Sequence, residues 1–131
     1  MDTSVLLDVF GADTQYGLSS KAMLKRCVNE GRVIACAIVF AEVIAAFDRA
    51  ETARHALEAI PVDFNDIEIE TATLGAEVFR EYHRRGGKRE RMVADFLIGA
   101  HATRRSDRLL TRDRGFHRTY FQGLEVLDPS T

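Results

Sequence analysis

Four acidic residues stand in settings where an acid is costly. Asp2 immediately precedes the apolar-rich stretch 3–10, and Glu42 is the only charge in residues 33–47. Asp95 is the only charge in residues 92–100, and Asp113 follows directly on Leu109-Leu110-Thr111. A carboxylate buried without a partner costs several kcal/mol, so each of these acids needs a cation or a set of donors. Brought together, the four would repel one another unless a cation joined them. Lysine does not supply it, since Lys21, Lys25 and Lys88 are the only three and none lies in these stretches. An all-oxygen donor set selects Mg²⁺ or Mn²⁺ over zinc, which prefers nitrogen and sulfur. Singly, each acid could as readily cap a helix or pair with one of the 15 arginines. One acid in each of several separate apolar stretches is what points to a shared cation site.

The elements that must position these acids read as alternating helices and short strands. Residues 3–10 suit a short helix, and 11–18 are rich in turn formers. Ser19 or Ser20 is placed to cap a helix that Gly31 ends. Residues 33–36 form a buried strand, followed by helices over 38–49 and 51–59. Pro61 then breaks the pattern ahead of an extended piece at 62–64. A long helix over 66–83 has Ile69, Ala72, Ala76, Phe79 and Tyr82 in register and stops at Gly86-Gly87. A buried helix over 92–104 and strands at 108–111 and 124–128 complete the chain. The pattern predicts one domain over residues 1–131, of three-layer α/β/α class with a mainly parallel central sheet. In such sheets the ligand crevice lies at the carboxyl ends of the strands. Strand ends would deliver Asp2 and Asp113 there, and the early turns of the next helix would deliver Glu42. Asp95 would project from its own helix.

Composition narrows the function classes. With 131 residues, 46% apolar and 29% charged, the chain can bury a core without disulfides or structural metal. No signal peptide or membrane span is evident, because the most apolar stretch, 33–47, is short and carries Glu42. Cys27 and Cys36 read as isolated core thiols, which suits the cytoplasm. The net charge of −2 conceals an asymmetry: residues 1–79 hold 6 basic and 13 acidic side chains, whereas residues 80–131 hold 12 and 7. Eleven of those 12 are arginine, whose planar fork suits phosphate. Arg112 and Arg114, which flank Asp113, are the candidate contacts for a phosphate chain. His55, His83, His101 and His117 show no metal spacing and read as surface or half-buried residues. No Gly-x-Ser-x-Gly elbow or phosphate loop is present. A receiver domain would need adjacent acids after its first strand and a lysine near its last, and neither occurs.

Asp2-Thr3-Ser4-Val5-Leu6-Leu7-Asp8, Ala41-Glu42-Val43, Ala94-Asp95-Phe96-Leu97-Ile98-Gly99-Ala100 and Leu110-Thr111-Arg112-Asp113 together closely resemble the four motifs of PIN domains, and the separations of 40, 53 and 18 residues resemble those of VapC toxins. The closing Leu124-Glu125-Val126-Leu127-Asp128-Pro129 is similar to the family's terminal strand. The resemblance implies a metal-dependent endoribonuclease, the toxin of a toxin–antitoxin pair, in which Asp2, Glu42, Asp95 and Asp113 hold Mg²⁺ or Mn²⁺. The metal would activate water for in-line attack, leaving a 5′-phosphate and a 3′-hydroxyl. Ser4 and Thr111 are implied as supporting hydroxyls, while Asp8 reads as a helix-surface or salt-bridge residue. A cognate antitoxin and homodimerisation are likewise implied. The other reading is a PIN domain without toxin activity that serves as an RNA- or protein-binding module. One departure stands out: family members carry several apolar residues before the first aspartate, and here only Met1 does so, which predicts a truncated first strand or an earlier start.

Overall fold

The computed structural model describes residues 1–11, 13–88 and 91–130, so Ala12 of the turn-rich stretch lies outside it. The chain runs α1 (Thr3–Gly11), α2 (Gly17–Glu30), β1 (Val33–Cys36), α3 (Ala37–Ala46), α4 (Ala50–Glu58), β2 (Val62–Asn65), α5 (Ile69–Arg84), α6 (Val93–Arg105), β3 (Arg108–Leu110), α7 (Arg114–Tyr120) and β4 (Glu125–Leu127). This is the three-layer α/β class that the sequence predicts, and both strand pairs are parallel. Strand β1 lies beside β2 with Val33 opposite Val62, and β3 beside β4 with Leu110 opposite Leu127.

The first two residues bridge these pairs. The Met1 ammonium donates to the Ile34 carbonyl at 3.0 Å, and the Asp2 N–H donates to the Leu110 carbonyl at 2.9 Å. Residues 1 and 2 thus lie between the two strand pairs, hydrogen-bonded to β1 on one side and to β3 on the other. This delivers Asp2 level with the carboxyl end of β3.

Several element readings need correction. Helix α2 begins at Gly17 rather than at a serine cap. Ser19 Oγ donates to the Tyr16 carbonyl, and buried Ser20 is drawn to Asp8 instead. Helix α3 stops at Ala46, earlier than apolar periodicity alone suggests. On α5 the buried positions are Thr71, Gly75 and Tyr82, while Ile69 is 74% exposed. The register slips because Gly75 lets α6 come close: a Cβ there would lie 3.3 Å from the Phe96 carbonyl oxygen. Helix α7 is absent from the sequence reading, since Gly115 and its short length hide it.

The core centres on Phe96, which is fully buried on α6. Its ring meets those of Phe79, Tyr82 and Phe116 at centroid distances of 5.1 to 5.3 Å, in edge-on or tilted arrangements. Such contacts contribute about 0.5–1.5 kcal/mol each beyond burial. Asp95, the residue before Phe96, is therefore anchored to a rigid cluster that also includes Phe116 of α7. Cys27 and Cys36 are buried free thiols. No helix among the described residues is long and apolar enough to cross a membrane.

Candidate active site

Local backbone chemistry fixes Asp2 first. Its Oδ1 accepts the Thr3 N–H at 2.7 Å and its Oδ2 accepts the Thr111 hydroxyl at 2.5 Å. Thr111 is fully buried, and its Oγ1 also accepts the Asp113 N–H at 2.9 Å. One hydroxyl therefore orients Asp2 and the backbone of Asp113 together. On the other side, Thr3 Oγ1 donates to Glu42 Oε1 at 2.7 Å. Glu42, in the second turn of α3, is otherwise exposed. Asp2, Glu42 and Asp113 are thus linked through two threonines.

Asp113 stands at the N-terminus of α7, where Arg91 grips its carboxylate with both arms. Nη1 bonds to Oδ2, and Nη2 lies 3.2 Å from Oδ1. The Arg91 guanidinium also stacks over the Phe116 ring at 4.4 Å. Its bond to Asp113 holds the guanidinium's pKa above the ordinary arginine value, and Asp95 adds to the effect. Asp95 is the third residue of α6 and closes a reciprocal cap. Its N–H donates to the Met92 carbonyl at 3.0 Å, and its Oδ2 accepts the Met92 N–H at 3.1 Å. A carboxylate in the first turn of a helix is further favoured by the helix dipole.

His117 faces the same site, with Nε2 at 3.9 Å from Asp2 Oδ2. It is 2% exposed, and its Nδ1 is buried without a hydrogen-bond partner. Burial pushes the imidazole pKa down, against the opposing pull of Asp2, Asp113 and Asp95. The sequence reading of a surface or half-buried histidine therefore fails for His117, and also for His101, which is 3% exposed. The spacing of Asp113 and His117 is the signal that could have found it, because residues four apart share a helix face.

The remaining candidates fall at the margin. Ser4 Oγ accepts the Arg112 N–H at 3.2 Å. Arg112 directs its fork at Asp8, with Nε at 2.6 Å from Oδ2 and Nη2 at 3.0 Å from Oδ1, and its Cζ lies 4.3 Å from the Tyr16 ring centroid. Asp8 is buried and also accepts the Ser20 hydroxyl at 2.7 Å, so it is a salt-bridge residue rather than a surface one. Arg114 lies near buried Asp128, Nε to Oδ2 being 3.6 Å. Thr3, Arg91 and His117 are the site residues that the sequence reading missed. Arg91 carried no signal beyond lying a helical turn ahead of Asp95.

Carboxylate and hydroxyl oxygens dominate this arrangement, which in kind fits a hard divalent cation. Among the described residues, however, no three carboxylate, imidazole or thiol side chains are gathered to hold one ion. Beside Asp113 the positive charge is that of Arg91.

A family model described as the PIN domain matches residues 1–122. Among solved structures, VapBC2 from Rickettsia felis bound to a promoter DNA fragment is similar, with a TM-score of 0.74 and 16% identity over 97% of this chain and 95% of that one. FitAB bound to an IR36 DNA fragment is similar at a TM-score of 0.68 and 23% identity, over 99% and 94% of the two chains. At these identities the structures speak for the fold. No curated protein sequence matches the chain.

Proposed function

Because the chain belongs to the PIN domain family, we propose that it is a metal-dependent endoribonuclease and the toxin half of a toxin–antitoxin pair, acting in the cytoplasm. The observation that carries this reading is the linkage of Asp2, Glu42 and Asp113 through Thr3 and Thr111, with His117 under the influence of Asp2, Asp113 and Asp95. Acids from both ends of the chain are thus tied to one another through two threonine hydroxyls. VapBC2 and FitAB, each bound to a DNA fragment, support a toxin–antitoxin setting for the fold.

In this reading Asp2, Glu42, Asp95 and Asp113 hold Mg²⁺ or Mn²⁺, directly or through water. Bound there, the ion supplies Lewis-acid polarisation of the phosphate and a more acidic water. Thr111 and Thr3 keep the Asp2 carboxylate aimed, since each donates to a different oxygen. The Asp95 cap fixes that carboxylate at a helix start, with one oxygen already engaged by backbone. Neutral His117 closes the inner wall of the crevice beside Asp2. Arg114, which is exposed, offers a contact for RNA phosphates along the arginine-rich half. A cognate antitoxin would cover the crevice, and the chain would work as a homodimer.

The test is cleavage of total RNA by purified protein with Mg²⁺, with Mn²⁺ and with a chelator, scoring 5′-phosphate ends. Metal-dependent cutting that Asp95→Asn abolishes supports the reading. Cutting that survives both the chelator and Asp95→Asn overturns it.

A further inference from the structure

The molecule contains two forked arginine–aspartate pairs near the carboxyl end of β3, and they differ in a way that matters. In the Arg112–Asp8 pair the aspartate side chain is only 4% exposed and a second donor, Ser20, holds it. That pair is locked. In the Arg91–Asp113 pair the side chains are 32% and 38% exposed, so water reaches both partners. Half-exposed ion pairs contribute little net stability and exchange partners readily. Arg91 also has a second resting place, the face of Phe116, which can keep the guanidinium at the site after Asp113 lets go.

We propose that Arg91 is the resident counter-ion of the acidic crevice: it holds Asp113 while no divalent cation is bound, yields that carboxylate to the cation, and turns its fork to the RNA phosphate. The inference deepens the nuclease reading and rests on it. Two points support it together. Among the described residues, Arg91 is the only arginine or lysine paired with one of the four candidate metal-binding acids. A phosphodiester offers the same two-oxygen geometry as the carboxylate it would replace.

The experiment is a calorimetric titration of Mn²⁺ into the full chain, its Arg91→Gln and Arg91→Lys variants and Asp113→Asn, followed by RNA-oligonucleotide binding in Ca²⁺. Removing a competing charge beside the ligand should tighten Mn²⁺ binding to Arg91→Gln by about tenfold or more. Arg91→Lys should fall between, keeping the charge but losing the fork. RNA affinity should drop in Arg91→Gln despite the tighter metal. Equal Mn²⁺ affinity in the wild type and both Arg91 variants would overturn the proposal. Undiminished Mn²⁺ binding by Asp113→Asn would instead remove Asp113 from the metal site, and so count against the nuclease-site reading itself.

Discussion

Thr111 Oγ1 lies 2.5 Å from Asp2 Oδ2, a buried hydrogen bond between residues 109 positions apart. The same oxygen accepts the Asp113 N–H, so the hydroxyl has both of its roles filled. Thr111→Val keeps the shape and removes both bonds, leaving a buried carboxylate oxygen one donor short. The expected loss is about 1–3 kcal/mol in urea unfolding, together with a large fall in RNA cleavage. Thr111→Ser should recover most of both.

Asp95 has two jobs that can be pulled apart. Its Oδ2 accepts the Met92 N–H, which an asparagine oxygen can also do. Asp95→Asn should therefore change stability by no more than about 1 kcal/mol while cleavage falls by orders of magnitude. Asp95→Ala loses the cap as well and should cost about 1 kcal/mol more in thermal or urea unfolding. An Asp95→Asn protein that cuts RNA normally would reduce Asp95 to a helix cap.

The Arg112–Asp8 pair should behave as architecture. Arg112→Ala leaves the Asp8 carboxylate buried with only Ser20 as partner, and breaking a buried pair from one side costs about 3–5 kcal/mol. Arg112→Lys keeps the charge without the fork and should recover only part of it. Arg114→Ala, beside Asp128, should leave folding closer to normal and show its effect in the salt dependence of RNA binding. Chevron or equilibrium unfolding of the three variants separates these outcomes.

Acid sensitivity should track His101. Its Nε2 lies 2.7 Å from Asn65 Oδ1, and burial, then the Met1 ammonium, then Arg105 hold its pKa down to about 4 from the usual 6.5. The unfolded chain takes up this proton near pH 6.5, whereas the folded chain refuses it until about pH 4. Between those values the unfolded state binds more protons, so stability is full above the window and is lost as the pH falls through it. The loss from this one residue is at most about 3 kcal/mol. His101→Gln should flatten the fall in urea stability across that window. It should not abolish it, because burial pushes His117 in the same direction.

The sequence discloses the acids better than it discloses what holds them. Asp2, Glu42, Asp95 and Asp113 are visible because each lies within or at the edge of an apolar stretch, and the strands because short apolar pieces stand between turn formers and helices. Arg91, by contrast, is one arginine in a basic run, and its meeting with Asp113 is set by how α6 enters the core. His117 needed the helix α7 to be seen first. On α5 Phe79 and Tyr82 pack as the periodicity predicts, whereas Ile69 and Ala76 do not, because periodicity counts apolar residues and Gly75 marks where the backbones come closest. The role of Thr3 was hidden by Ser4, a neighbour of the same chemistry.

The bond from Thr111 to Asp2 also sets an order of events during synthesis. Asp2 leaves the ribosome among the first residues, yet the carbonyl that pins its backbone belongs to Leu110 and the hydroxyl that aims its carboxylate to Thr111. Until β3 has emerged, Asp2 has neither anchor, and Asp113 does not yet exist opposite it. The surroundings of Asp2 are therefore completed only once residue 111 has been made, whatever residues 3–109 have already formed.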